Sequence, residues 1–194
     1  MSVSLYDLSV ASHLQILGGV ANVLAKGEEY AATGNMDLEE IVSYQLREDM
    51  APFSFQVISV WHHSLNAIKG LKAGEFSPPP KMSGLDYQGL RGLVNEAIEG
   101  LQGETPEAIN ALADKPMLFK MGKTEIPFTT DNFMLSFSLP NFYFHATTTY
   151  AVLREHGVPL GKMDYLGQLR VNLKFEKTVL EISNGYRIMD LTHP

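Results

Sequence analysis

The chain has 194 residues, 45% of them hydrophobic, and its 15 Lys and Arg stand against 22 Asp and Glu, which gives a formal net charge of -7. This length and composition suit one globular domain with a sizeable core, and the acidic balance disfavours nucleic acids and anionic membranes as partners. Because the sequence contains no cysteine, disulfides, thiolate metal sites and a cysteine nucleophile are excluded.

The chain opens with the pattern of a long amphipathic helix over residues 5–26. The N-terminal MSVSLYDLSV lacks the basic stretch of a secretory signal, and no apolar run reaches the length that spans a bilayer, so we expect a soluble cytoplasmic protein. Apolar residues recur at helical spacing until Gly27, where we expect the helix to end. His13 borders the apolar face, and we interpret it as a boundary histidine rather than as a ligand.

Two helices are predicted in the next part of the chain. Asp37 is placed to cap a short helix that continues to about Met50. A long helix then follows over residues 52–74, with a proline at its start and a glycine at its end. This second long helix carries the adjacent histidines His62 and His63, and the pattern leaves open which of the two faces the interior.

The remaining helices surround a small hairpin. After a proline-rich loop, apolar spacing predicts a third long helix over residues 86–101, and a Thr-Pro-Glu start predicts a short helix over residues 105–113. The Met-Gly-Lys tripeptide at 121–123 separates two short apolar segments and predicts a β-hairpin. The last helix is expected from about residue 131 to residue 156, because Gly157 marks a typical stop.

Polar residues recur along one face of this last helix. His145, Thr149 and His156 follow one another at four- and seven-residue steps, and Asn141 lies one turn before His145 on the same side. This face indicates where a site would lie. We interpret His156, at the helix end, as a cation that interacts favourably with the helix dipole. Pro140 either kinks this helix or restarts it.

The pattern as a whole predicts an all-α chain, an antiparallel up-down four-helix bundle with a small β-hairpin before the last helix. We assign residues 1–167 to this bundle and residues 168–194 to a C-terminal extension. The Asn-Gly pair at 184–185, between two β-branched segments, is a hairpin signal. The extension is therefore expected to be a β-ribbon or a flexible tail.

Three stretches form a set that resembles a known superfamily. They are SLYDLSV at the start, APFSFQVISVWHH in the second long helix, and LPNFYFHATTTYAVLREHGVPLG followed by KMDYLG in and after the last helix. Together with the helix order, which covers residues 1–167, they resemble the DinB/YfiT-like superfamily, and more closely a subfamily labelled a domain of unknown function. The resemblance implies the helical bundle, and a metal held by one histidine of the second helix and two histidines four residues apart on the last.

The same resemblance implies particular ligands. In the superfamily the second histidine of the last-helix pair precedes a Leu-Arg pair by eight and nine residues, a spacing that His145 matches. The resemblance therefore implies His63, with His62 as the fallback, and His145 as ligands of Zn, Ni or Fe. Asn141 stands where the other histidine is expected. An amide oxygen suits harder cations better than transition metals, so this departure weakens the expected site.

Two functions follow from these expectations. The first is a metal-dependent transferase or hydrolase with a histidine-containing pocket between the second and last long helices. The alternative is a non-catalytic homodimeric bundle that binds a small molecule or a partner after loss of the metal site. A structural interpretation also stands, in which His63, His145 and Asn141 hydrogen-bond to one another within the core. The apolar faces of the first and last helices predict a homodimer.

Overall fold

The computed structural model describes residues 3–171. Within them, the helices are α1 (Asp7–Ala31), α2 (Leu38–Ser43), α3 (Phe53–Trp61, His62–Asn66 and Ala67–Ala73), α4 (Tyr87–Gln102), α5 (Pro106–Asn110), α6 (Thr130–Phe133, Met134–Ser138 and Leu139–Glu155) and α7 (Lys162–Leu166). The strands are β1 (Glu75–Phe76), β2 (Pro116–Met121) and β3 (Thr124–Thr129). The mainly helical class is confirmed. The predicted hairpin at 184–185 lies outside the described residues.

The four long helices pack in pairs around the core. Helix α1 packs against α4 and α6, and α3 packs against the same two helices. The largest fully buried side chains come from all four, and they include Leu17, Leu24, Phe53, Leu90, Leu101 and Phe142. Each contributes about 1.5–3 kcal/mol relative to an exposed position. This packing brings the inner faces of α3 and α6 together, which is where the candidate site lies.

Helix α1 does not end at Gly27, contrary to the prediction. A Cβ atom at this position would collide with the hydroxyl oxygen of Tyr87 on α4, and that hydroxyl donates to the carbonyl of Leu24 at 2.9 Å. The glycine therefore permits a close approach between two helices rather than a C-cap, and α1 continues to Ala31.

Helix α1 is also long and apolar enough, by length and composition alone, to cross a membrane. The prediction that no apolar run reaches this length was therefore wrong for this segment. Half of its most apolar stretch is buried inside the fold. Core helices of soluble proteins pass the same test, so the composition of α1 does not by itself indicate a membrane.

Helix α2 is shorter than the predicted segment. Asp37 caps it by accepting a hydrogen bond from the amide of Glu39 at 2.8 Å, but the helix ends at Ser43 instead of continuing to about residue 50. Tyr44 has extended backbone angles, and its carbonyl accepts the amide of Phe53 at 2.8 Å. The chain thus folds back to begin α3 directly after a proline, and the residue before a proline is disfavoured in a helix.

The sheet is larger than the predicted hairpin. Strands β2 and β3 form the expected antiparallel pair, with Pro116 opposite Thr129 and Met121 opposite Thr124. Strand β1 adds a third, parallel strand, in which Phe76 is paired with Phe119, so the chain is not purely α-helical. A two-residue strand leaves no periodicity in the sequence to reveal it.

The end of α6 follows the predicted stop signal. Gly157 adopts a left-handed conformation with φ 86°, and the amide of Val158 reaches back to the carbonyl of Leu153 at 3.1 Å, as in a glycine C-cap.

The short helix α7 was not predicted, and it lies against α1. A Cβ atom at Gly19 of α1 would collide with the carbonyl of Tyr165, so α7 approaches α1 closely only because Gly19 has no side chain. Lys26 pairs with Asp164 at 2.7 Å, and the amide of Gln15 donates to the carbonyl of Leu166 at 3.0 Å.

Candidate functional site

The candidate site lies where α3 faces α6. The rings of His63 and His145 have their centroids 6.1 Å apart and are nearly parallel, at 16°. His63 lies within one π-helical turn, His62–Asn66 of α3, and a second, Met134–Ser138 of α6, ends seven residues before His145. The hydroxyl of Ser138 in the second turn donates to the carbonyl of His63 in the first, at 2.9 Å. π-Helical turns are rare and recur at functional sites.

The imidazole of His145 is held in one tautomer. The side-chain amide of Gln56 donates to the carbonyl of Ala51 at 2.8 Å, which turns its oxygen toward His145. That oxygen lies 2.7 Å from Nδ1 of His145. Since a carbonyl oxygen only accepts hydrogen bonds, Nδ1 carries the proton and Nε2 keeps its lone pair. Burial lowers the pKa of His145 to about 4, so this lone pair is available at neutral pH.

His63 is more deeply buried than His145. Its exposed fraction is 6%, and its Nδ1 atom is enclosed without a hydrogen-bond partner among the described residues. Burial lowers the pKa of His63 to about 3, and the charges of His62, His145 and His13 act in the same direction. His63 is therefore neutral at physiological pH.

His62, the alternative ligand, is occupied elsewhere. Its Nε2 atom lies 2.8 Å from the carbonyl oxygen of Ser77, to which it donates. Its ring stacks on Phe76 at a centroid distance of 4.5 Å. Burial lowers its pKa, and the hydrogen bond to the Ser77 carbonyl partly opposes this. His62 thus joins α3 to the segment after it, and His63 is the histidine whose ring stacks with that of His145.

Asn141 lies one turn before His145, but its amide serves its own helix. The Nδ2 atom donates to the carbonyl of Phe137 at 2.7 Å. Across residues 3–171, no group of three or more His, Asp or Glu side chains lies where it could hold a metal ion. Two imidazoles therefore meet at the site, while the third ligand that the superfamily pattern implies is not supplied as a nitrogen or a carboxylate.

Two phenyl rings border the outer side of His145. Phe55 of α3 lies 5.8 Å from its ring and Phe144 of α6 lies 5.2 Å from it, both edge-on. Their exposed fractions are 37% and 56%, which is high for phenylalanine. We call Phe55 and Phe144 the aromatic rim. The rim gives the site an apolar border open to solvent.

Sequence reasoning missed two residues of this region. His13 is not a boundary histidine but is fully buried, with its ring 4.6 Å from Phe142 of α6, and burial lowers its pKa to about 3. Gln56 was not considered, although it lies seven residues before His63 and so on the same helical face. A polar residue inside an apolar stripe is the signal that would have pointed to both. His156 stays apart from the site, against Tyr44.

Comparisons with known proteins agree with this fold. The family model of a domain of unknown function, DUF1993, matches residues 5–166. The crystal structure of a DinB family member protein from Shewanella denitrificans is similar with a TM-score of 0.72 at 24% identity, over 87% of this chain and 94% of that one. A comparison with curated proteins finds no match. The chain therefore belongs to the DUF1993 family, a family of unknown function, and its fold is similar to that of a DinB family member protein.

Proposed function

We propose that this protein is a divalent-metal-binding member of its family and forms an antiparallel four-helix bundle. In this proposal, His63 and His145 hold the ion between α3 and α6, the second and the last of the long helices. The packing of α1 and α3 against both α4 and α6 supports the bundle. The observation that carries the metal proposal is the fixed tautomer of His145, whose Nδ1 is 2.7 Å from the Gln56 oxygen.

This arrangement is typical of a metal ligand. Histidines that bind metals donate their second ring N–H to an oxygen, which orients the ring and fixes the tautomer. Gln56 does this for His145, and Gln56 itself is 2% exposed and held by Ala51. The low pKa of His145, about 4, favours a ligand over a general base, because a base works best with a pKa near the working pH.

The donor set suits a weakly held ion with open positions. Imidazole suits zinc, nickel and iron, but the only further side-chain donor at the expected position is the neutral amide of Asn141. Rotation of that amide would give up its hydrogen bond to Phe137, which measures 2.7 Å. We therefore expect water to complete the coordination. When bound, such an ion acts as a Lewis acid, the chemistry of metal-dependent transferases and hydrolases.

The metal content of tag-free protein purified without chelators tests this proposal. We expect about one zinc, nickel or iron ion per chain by elemental analysis, lost in His145→Ala and in His63→Ala. His62→Gln serves as the matched control, because His62 contacts Ser77 and Phe76 instead of the site, and it should keep the metal. Equal background metal in the wild type and in His145→Ala contradicts the proposal.

A second function is favoured by the position of Asn141 and by the aromatic rim. In this alternative, a homodimeric and non-catalytic protein binds a small organic molecule, whose N–H or O–H donates to Nε2 of His145 while its apolar part lies against Phe55 and Phe144. Their exposed fractions, 37% and 56%, leave such a surface open. This alternative predicts that Asn141→His creates a metal affinity that the natural chain lacks.

The oligomeric state is a separate part of the second proposal. Leu135 on α6 is 54% exposed, and a symmetric contact through its face of the helix would cover it. Sedimentation at micromolar concentration should then give a dimer, which Leu135→Glu should dissociate. A monomer at that concentration contradicts the homodimer without affecting the metal proposal.

A further inference from the structure

Three buried polar side chains on the inner side of the candidate site lack hydrogen-bond partners within residues 3–171. They are His13, through both ring nitrogens, Ser59, through its hydroxyl, and His63, through Nδ1. Their exposed fractions are 0%, 1% and 6%. Folded proteins pair nearly all such buried atoms, with protein groups or with ordered water. Several unpartnered atoms in one region therefore point to a missing partner.

The three side chains come from two helices of the core, α1 and α3, that both pack against α6. Ser59 and His63 are four residues apart on α3 and so share a helical face. The carbonyl of His63 accepts the hydroxyl of Ser138 on α6 at 2.9 Å, and the ring of His13 lies 4.6 Å from Phe142, one turn further along α6. His13 and His63 thus approach adjacent turns of α6, from α1 and from α3. The influence of His13 on the pKa of His63 agrees with this proximity.

The chemistry of these groups decides what the partner is. All three are neutral, and neither a carboxylate nor a thiolate is among them. A divalent cation between His13 and Ser59, which are 0% and 1% exposed, would keep none of the water ligands that complete its coordination at the solvent-open His63–His145 site. Without those ligands or a counter-charge, its transfer into the core is strongly unfavourable. Each imidazole needs one donor and one acceptor, and the hydroxyl offers both. Water provides both functions and serves two to four buried partners.

We propose that His13, Ser59 and His63 form an internal water-binding site that sets the tautomer of His63. The water donates to a ring nitrogen of His13 and to the Ser59 hydroxyl, and it accepts the Nδ1–H of His63. The Nε2 atom of His63 then keeps its lone pair, as Nε2 of His145 does through Gln56. His13 and Ser59 are thus positioning residues for the candidate site. The site belongs to the metal-free protein and does not depend on the proposed function.

Nitrogen NMR of the metal-free protein tests the proposal. With ¹⁵N-labelled histidine, the ring shifts report which nitrogen of His63 carries the proton, and water-to-protein cross-relaxation reports bound water. We expect the Nδ1–H tautomer in the wild type, with cross-relaxation to His13 and His63. Loss of one hydrogen bond in Ser59→Ala or His13→Leu should raise the other tautomer about 2- to 10-fold.

Two variants control for a merely structural effect. Ser64→Ala removes a buried hydroxyl of the same helix that already donates to the carbonyl of Val60, at 2.7 Å, and should leave the His63 tautomer unchanged. His13→Gln keeps a donor and an acceptor and should preserve it. The proposal is overturned if the tautomer of His63 is the same in wild type and Ser59→Ala, or if Ser64→Ala changes it equally. Because these spectra need no metal, absence of metal binding would refute only the proposed function.

Discussion

Removal of the His13 imidazole should make the protein less sensitive to mild acid. His13 is 0% exposed, and burial lowers its pKa from 6.5 to about 3 in the folded state. The unfolded chain exposes the ring, which then takes up a proton as the pH falls below its ordinary pKa. Between pH 6.5 and pH 3 the unfolded state therefore binds more protons at this position, and the free energy of unfolding decreases as the pH is lowered.

The size of this effect follows from the pKa difference. pH 5 lies about 1.5 units below the ordinary histidine pKa of 6.5. At this pH, protonation of the exposed His13 ring stabilises the unfolded state by about 2 kcal/mol relative to the folded state. That is a large share of a typical unfolding free energy of about 5–15 kcal/mol. Above pH 6.5 the ring is neutral in both states, and the contribution vanishes. Substitution by leucine removes the titrating group but keeps an apolar side chain of similar size.

Urea unfolding at a series of pH values measures this directly. In His13→Leu, the difference in unfolding free energy between pH 7.5 and pH 5 should be about 2 kcal/mol smaller than in the wild type. Leu17→Ala is the matched control, because Leu17 is fully buried on the same helix and its truncation should cost about 2–5 kcal/mol without altering the pH dependence. Parallel pH profiles for the wild type and His13→Leu would refute the reasoning.

Three further predictions concern glycine contacts and the orientation of His145. Gly19→Ala should destabilise the protein by about 1–3 kcal/mol in thermal unfolding, because the new Cβ would collide with α7. The control variant Gly18→Ala has open space around the new Cβ, so it should be neutral or stabilise the protein by up to about 1 kcal/mol. Gly27→Ala should also destabilise the fold, and Tyr87→Phe should relieve part of this, so a double-mutant cycle should show coupling of about 0.5–3 kcal/mol; additive effects would contradict the contact. Gln56→Met should weaken metal binding about 10- to 100-fold in calorimetric titrations while leaving the circular dichroism unchanged.

Much of the helical framework could be predicted because its signals are local. Asp86 caps α4 by accepting the amide of Gly89 at 2.7 Å, and Gly74 ends α3 in a left-handed conformation with φ 74°. Such signals depend on one helical turn and on the conformation that each residue prefers. The short strand β1 and the early end of α2 depend instead on hydrogen bonds to distant segments, so the local pattern did not reveal them.

The candidate site was only partly predictable for the same reason. Helical spacing placed His145 on an inward polar face, and His63 on the facing helix lies 6.1 Å from it between ring centroids. The Gln56 contact spans 89 residues of sequence, and the burial of His13 depends on how α1 packs against α6. Both require the three-dimensional arrangement of helices. The family pattern likewise did not indicate that the Asn141 amide would bond to its own helix.

The contact between α7 and α1 has a consequence for the order of folding. The hydrogen bond from Gln15 to Leu166 joins residues 151 positions apart, and contacts this distant in sequence slow folding because a long chain segment must close first. During synthesis, α1 emerges early, while the helix that covers part of it emerges near the end of the described chain. Helix α1, with its long apolar stretch, thus remains incompletely covered for most of translation, the interval in which aggregation through α1 competes with folding.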